Sequence, residues 1–302
     1  MINLIFMIIV SSQTAFAVEA KPSADSFVIA LTGQYKALNN ALQNNRFKRP
    51  LVLKSTESSD AALKGEIYAV LDYPFEKVNS AINNPNHWCD ALILHINVKY
   101  CRVINSSTVN NNAGTALTIN LGKKYDQPLV ATYRTKFNYE SITAAANYFS
   151  VEMKADQGPL GTKDYRIWVE ATPVNTKQTF LHFTYAYSFG LTGKLAMKGY
   201  LATIGKDKVG FSIESTQANG EPNYIQGVRG VVERNTMRYY LAIDAYLAAL
   251  NTPADDQLEK RLENWFDSTE QFAVQLHEVE RVEYLDMKRK EYQRQNGDNA
   301  KS

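Results

Sequence analysis

Residues that could act as acids, bases or metal ligands are few in this chain, and they form no known catalytic motif. The four histidines are His87, His95, His182 and His277. We expect His95 and His277 in solvent, and His87, beside Trp88, either in solvent or at the mouth of a cavity. The chain lacks G-x-S-x-G, phosphate-loop spacing and metal-site spacing. We therefore predict no catalytic residue, no metal and no cofactor.

Alternation along the predicted strands places the remaining candidate acids and bases outside. Glu152 and Glu170 alternate with apolar residues of their strands, and His182 alternates with Phe183. Successive side chains of a strand point to opposite faces. These three residues are therefore expected on the outer face of a sheet, away from any interior ligand.

Three arginines lie on one predicted helix, at Arg229, Arg234 and Arg238. A guanidinium can bind a carboxylate or phosphate through two parallel hydrogen bonds, so these residues could receive a lipid head group at one end of a cavity. A simpler interpretation, which we favour, is an exposed ladder of ion pairs with Glu233. Such pairs on a helix surface contribute roughly a few tenths of a kcal/mol each.

The only two cysteines are Cys89 and Cys101. In an oxidising compartment they could form a disulfide that joins the end of the first helix to the next strand. The alternative is two buried thiols that pack as small hydrophobic side chains. We predict the disulfide.

The first residues indicate export. Residues 1–17 combine a short apolar run with Ala15-Phe16-Ala17, which has the form of a signal-peptidase site. We expect a cleaved signal peptide, a mature chain from about Val18 and a secreted or periplasmic protein; an uncleaved anchor or a buried strand is the alternative. A net charge of +2 gives no indication of a nucleic-acid partner.

The order of predicted elements is the strongest signal for the fold. Residues 65–73 read as a strand and 74–84 as a helix opened by Pro74. The chain is almost entirely strand-like from about 95 to 190, and 223–250 reads as a long amphipathic helix. The order predicts an α+β fold in which a curved antiparallel sheet grips a C-terminal helix.

Aromatic side chains recur on one face of the predicted strands. Leu181, Phe183, Tyr185, Tyr187 and Phe189 alternate with more polar residues. On the other predicted strands, the side chains that point to the opposite face are charged. We therefore expect a sheet with one buried face and one solvated face. The buried face would meet the apolar stripe of helix 223–250.

This order of elements resembles the START-like superfamily, also called the SRPBCC or helix-grip fold. LDYPFEKVNSAINNPNHW is similar to the opening strand, helix and corner tryptophan of that family, and GVRGVVERNTMRYYLAIDAYL to its gripping helix. The predicted parts are a signal peptide (1–17), an N-terminal helical segment (18–59), a START-like domain (60–250) and a charged C-terminal helix with its tail (251–302).

The resemblance implies an internal cavity for a sterol, phospholipid, fatty acid or polyketide-like molecule, with transport or sensing as the usual role. We therefore predict that the chain binds and transports a hydrophobic ligand, with transient membrane contact. The predicted ligand-binding residues are Trp88, Tyr133, Phe137, Met153, Ile167, Phe183, Tyr185, Tyr187, Val232, Tyr239 and Ile243.

Three questions stay open at this point. A minority of the superfamily are cyclases or hydrolases, which would require an acid or base inside the cavity. The charged segment 254–294, predicted as one long helix, could instead bind a partner protein. The glycine-rich segment 191–210 is either a mobile gate or a connecting helix packed on the rim of the sheet.

Overall fold

A computed structural model describes residues 24–58, 62–105, 114–203 and 205–299. The predicted signal peptide lies outside these residues. The helices are α1 (Ala24–Gln43), α2 (Phe75–Ile82), α3 (Pro85–Leu92), α4 (Leu191–Ala202), α5 (Gly227–Ala249), α6 (Gln257–Glu270), α7 (Ala273–Leu276) and α8 (Arg281–Asn299). The strands are β1 (Leu51–Glu57), β2 (Ala62–Leu71), β3 (Val98–Asn105), β4 (Thr115–Leu121), β5 (Tyr133–Ala145), β6 (Tyr148–Gln157), β7 (Thr162–Pro173), β8 (Thr179–Phe189), β9 (Ile213–Thr216) and β10 (Pro222–Tyr224).

Eight strands form one antiparallel sheet in the order β1-β2-β8-β7-β6-β5-β4-β3. The α+β class, with a sheet followed by C-terminal helices, is thereby confirmed. The sheet begins earlier than the predicted domain boundary at residue 60, because Leu51 of β1 already pairs with Ala69 of β2. Strand β1 lies within residues 18–59, which were predicted to be helical.

Helix α5 lies against the apolar face of the sheet, where the aromatic stripe of β8 is buried as predicted. Close approach requires a glycine at one point. A Cβ on Gly65 of β2 would lie 2.1 Å from the Thr236 hydroxyl oxygen of α5. Helix α5 is buried around most of its circumference, because α3 and α6 cover the sides that the sheet does not.

The outer face of the sheet is only partly solvated, which corrects the expectation of a one-sided sheet. Helix α1 covers part of it with an apolar stripe that includes Leu31 and Leu42. Its Phe27 ring stacks on Tyr148 of β6 at 5.7 Å, and Tyr35 meets Phe180 of β8 at 5.2 Å. This second small core explains why the N-terminal segment is helical and amphipathic.

The corner that contains Trp88 is helix α3. Asn84 caps its start by accepting a hydrogen bond from the Asn86 N–H, and Pro85 occupies the first turn, where no N–H is needed. Cys89 of α3 and Cys101 of β3 form a disulfide, with their Cα atoms 5.1 Å apart.

The charged segment 254–294 is a helical hairpin and not the single long helix that its pattern suggested. The chain reverses between α6 and α8, so that Trp265 stacks on Tyr284 at 4.8 Å. Helix α8 then lies along strand β3, where the Cys101 N–H donates to the Gln295 side chain at 3.0 Å. Burial of Tyr284 and Lys288 makes this hairpin part of the folded body.

Candidate functional site

A cavity of about 250 Å³ opens at one end of the interface between the sheet and helix α5, which we call the grip. Its walls come from the concave face of β7 and β8, the turn Pro159–Gly161, helix α4 and the first half of α5. Pockets for drug-sized ligands usually measure about 300–1,000 Å³. The present cavity therefore suits a small molecule, or one end of a larger molecule.

Tyrosines of the sheet form the back wall of the cavity. Tyr165 of β7 stacks on Tyr187 of β8 at 5.3 Å, and Tyr185 packs against Tyr239 of α5 at 5.2 Å. Burial raises the pKa of Tyr185 and of Tyr187 far above the ordinary value. The phenols are therefore protonated at neutral pH and can donate hydrogen bonds to a ligand.

The opposite side of the cavity is basic. Arg234 and Arg238 of α5 and Lys124 of the β4–β5 connection line it. Arg238 and Lys124 both contact the carboxylate of Glu278, at 2.6 Å each. Nearby cations keep the pKa of Glu278 low, at about 2, although burial opposes this, and burial lowers the pKa of Lys124 to about 8.

These arginines correct the prediction of an exposed ion-pair ladder. Arg234 and Arg238 are only 2% and 3% exposed. Glu233, the expected partner, is fully buried and instead accepts hydrogen bonds from the Phe211 and Ser212 N–H groups and from the Ser55 and Ser212 hydroxyls. The sequence did not show that loop 205–212 and residue 278 would cover this part of α5.

Helix α4 forms the roof of the cavity. It rests on the turn Pro159–Gly161 through Gly193, where a Cβ would lie 2.7 Å from Phe189 Cβ and 2.8 Å from the Gly161 carbonyl oxygen. Met197 and Tyr200 face the cavity, while Leu195 is 66% exposed. The segment is thus a short helix on the rim, with one close contact to the sheet and an apolar residue in solvent.

The structure brings only some of the predicted ligand-binding residues to this cavity. Tyr185 and Tyr187 line it, with Tyr239 and Phe137 directly behind the tyrosine wall. Tyr133 is half exposed at the start of β5, so it does not face the interior. The other predicted residues fill the apolar core away from the cavity: Trp88, Met153, Ile167, Phe183, Val232 and Ile243.

Sequence reasoning missed Tyr165, Met197 and Tyr200 as lining residues. Tyr165 shared the aromatic alternation that identified Tyr185, so the same signal could have included it. Met197 and Tyr200 belong to α4, and their position depends on how that helix folds back over the sheet. No local pattern reports such a docking.

Among the described residues, no histidine and no carboxylate lines the cavity. His95 is buried against the Tyr239 ring, at 4.3 Å, and not in solvent as expected; burial and nearby cations lower its pKa. His182 lies on the outer face as predicted, bonded to Glu170 and Glu66, and these partners raise its pKa. Within the same described ranges, no group of residues could hold a metal ion and no helix is long and apolar enough to cross a bilayer.

Comparisons with known proteins give weak similarities to solved structures. No family model matches the chain, and no curated protein does. Human StAR-related lipid transfer protein 5 matches 58% of this chain and 88% of its own, at 8% identity and a TM-score of 0.32. The Zhui aromatase/cyclase from Streptomyces sp. R1128 matches 45% of this chain and 73% of its own, at 7% identity and a TM-score of 0.32. A conserved protein from Geobacillus kaustophilus matches 61% of this chain and 95% of its own, at 13% identity and a TM-score of 0.35. Similarities this low indicate neither a shared ligand nor a shared activity.

Proposed function

We propose that this protein binds and carries a small hydrophobic molecule with a polar end, in the cavity between the sheet, α4 and α5. The observation that carries the proposal is the tyrosine-walled cavity at the open end of the grip. Its aromatic rings would bury the apolar part of a ligand, at about 25 cal/mol per Å² of apolar surface removed from water. The phenol hydroxyls would hold its polar part.

Helix α4 is the element best suited to admit a ligand. Most of its described side chains are exposed or partly exposed, and it packs on the rest of the protein mainly through Gly193 and Met197. An outward movement of α4 would enlarge a cavity that is now smaller than usual ligand pockets. We therefore include a gating role for residues 191–202 in the proposal.

Exposed apolar residues occur in segments at the same end of the sheet as the cavity, and one of them, Leu160, lines it. Val130, Leu160 and Leu195 are 95%, 56% and 66% exposed. They lie at the same end of the sheet, because Leu121 pairs with Tyr133, and Thr162 pairs with Phe189. The exposed lysines Lys123, Lys194 and Lys198 lie in the same segments as these residues. An apolar rim beside lysines suits transient contact with an anionic membrane surface, from which a ligand could enter.

The disulfide supports an exported location, because such bonds persist in oxidising compartments. Partner binding by segment 254–294 is a weaker candidate, since the buried faces of α6 and α8 already pack on the grip. Catalysis is also less well supported. The described lining offers phenols, amides and cations but no carboxylate or imidazole to act as a general base.

The proposal is tested by ligand extraction and by a neutral fluorescent probe. We expect mass spectrometry of a solvent extract of the native protein to find a co-purified apolar molecule. We also expect N-phenyl-1-naphthylamine to bind with enhanced fluorescence. Val231→Trp should fill the cavity and abolish probe binding, whereas Ala248→Trp, on an exposed position of the same helix, should not. An empty extract together with no probe binding would contradict the proposal.

A further inference from the structure

Positive charge at the basic side of the cavity exceeds the negative charge available to balance it. Lys124, Lys208 and Arg238 all contact the single carboxylate of Glu278, at 2.6, 2.5 and 2.6 Å. Arg234 lies close enough to Arg238 and to Tyr187 to affect both electrostatically. Three cations therefore contact one carboxylate in a largely buried region, and a fourth, Arg234, lies beside them without contacting it.

Arg234 is the least balanced member of this group. It is 2% exposed, lines the cavity, and donates from one terminal nitrogen to the Val209 carbonyl oxygen at 3.0 Å. Within the described ranges, no carboxylate lies within 4.0 Å of its guanidinium nitrogens. Burial of a charge without an opposite charge is costly, so a resident anion would remove a substantial penalty.

Arg238 adds an independent observation, a buried hydrogen-bond donor that is not paired with protein. Its side chain lines the same cavity and is 3% exposed. One terminal nitrogen donates to Glu278 and to the Leu276 carbonyl oxygen, but its buried Nε–H has no hydrogen-bond partner among the described residues. Unpartnered buried donors are uncommon in folded proteins, and a ligand oxygen is one way to satisfy them.

We propose that Lys124, Arg234 and Arg238 form an oxyanion site that selects ligands ending in a carboxylate or phosphate group. This inference rests on the proposed function and specifies its ligand class: an apolar body against the tyrosine wall and an anionic end at α5. Guanidinium groups suit this task because they bind either oxyanion through two parallel hydrogen bonds.

Calorimetric titration of the wild-type protein with octanoate, octyl phosphate and octanol tests the selection. The three compounds share an apolar chain and differ in their polar end. We expect at least one anion to bind about tenfold or more tightly than octanol, as for hydrogen bonds to charged groups. The tighter anion identifies carboxylate or phosphate as the natural end. Equal affinities for all three would overturn the inference.

Variants of α5 assign the effect to residues. Arg234→Met should weaken binding of the preferred anion about tenfold and leave octanol binding unchanged, and Arg234→Lys should restore part of the loss. Arg229→Met is the matched control, because Arg229 lies on the same helix but bonds to Ser55, away from this cavity. An equal loss for anion and alcohol in Arg234→Met would assign Arg234 a packing role.

The two proposals fail in different ways. Binding of N-phenyl-1-naphthylamine without any preference for octyl anions would leave the binding function intact and overturn the oxyanion site. Absence of binding by the neutral probe and by all three octyl compounds would overturn both. If Arg234→Met does not fold, the wild-type comparison still decides the question.

Discussion

The two halves of helix α5 differ in what surrounds them. From Tyr239 to Ala249, the helix is packed among apolar residues such as Leu241, Ile243 and Leu247, each at most 2% exposed. From Gly227 to Arg238, the buried side chains include Glu233, Arg234 and Arg238. One half therefore resembles an ordinary core, while the other is held by polar contacts to loops.

The difference shows where the fold can leave space. Apolar side chains interdigitate to high density, and a void among them costs contacts on every side. Buried charged groups need partners at fixed distances and angles, here Glu278 and the 209–212 backbone. The cavity lies beside this polar half, so the region least able to pack densely is also the one with chemistry to recognise a ligand.

The largest expected effect comes from emptying the apolar half. Leu247→Ala should lower the free energy of unfolding by about 2–5 kcal/mol, because a fully buried side chain is removed and a cavity remains. Urea denaturation measures the loss. Probe affinity per folded molecule should not change, and the exposed Leu195→Ala serves as the control for stability. A substantial loss of affinity would show that the two halves are coupled.

Acid should weaken the polar half through Glu278. Its folded pKa, about 2, lies below the ordinary value of 4.5, so its stabilisation is complete above pH 4.5 and is lost as pH falls toward 2. The loss is on the order of 3 kcal/mol. We expect Glu278→Gln to lose less stability between pH 7 and pH 3 than the wild type. The exposed Glu280→Gln should behave as the wild type, and identical profiles for all three would contradict the assignment.

Removal of the disulfide should affect the apolar half, because α3 packs on α5. The bond spans 12 residues, and the chain-entropy model gives up to about 3 kcal/mol for a loop of this size. A Cys89→Ala, Cys101→Ala double variant should lose up to that amount in urea denaturation and keep its anion affinity. Thiol counting on the unfolded, unreduced wild type should find no free thiol; two reactive thiols would show that the bond is absent.

The smallest effect concerns the roof of the cavity. A Cβ on Gly199 would meet no described atom within 4 Å, so Gly199→Ala should stabilise helix α4 by about 1 kcal/mol and slow probe exchange. Gly193→Ala should act in the opposite direction, because its Cβ would collide with the Gly161 backbone and lift the helix. Stopped-flow measurements of probe release would compare them. Equal rates in both variants and the wild type would make α4 a passive connector.

Periodic patterns predicted the parts of this molecule that pack by apolar burial. The aromatic stripe of β8 and the long helix followed from alternation and helical spacing, because each element buries one face. The contacts that cover the polar residues could not be predicted from such patterns. His95, Arg234 and Arg238 look solvent-exposed in isolation, and they are buried only because loop 205–212, residue 278 and α8 return to them from distant parts of the chain. Local sequence patterns carry no information on contacts between segments so distant in the chain.

The docking of α8 on β3 also has a consequence for folding. Strand β3 is an edge of the sheet, and Lys288, Glu291 and Gln295 of α8 contact it. Until α8 docks, β3 is an open edge that could pair with another chain. Lys99 places a charge on this edge, and Glu291 neutralises that charge at 3.0 Å once α8 is in place. Docking of α8 therefore closes the edge against aggregation.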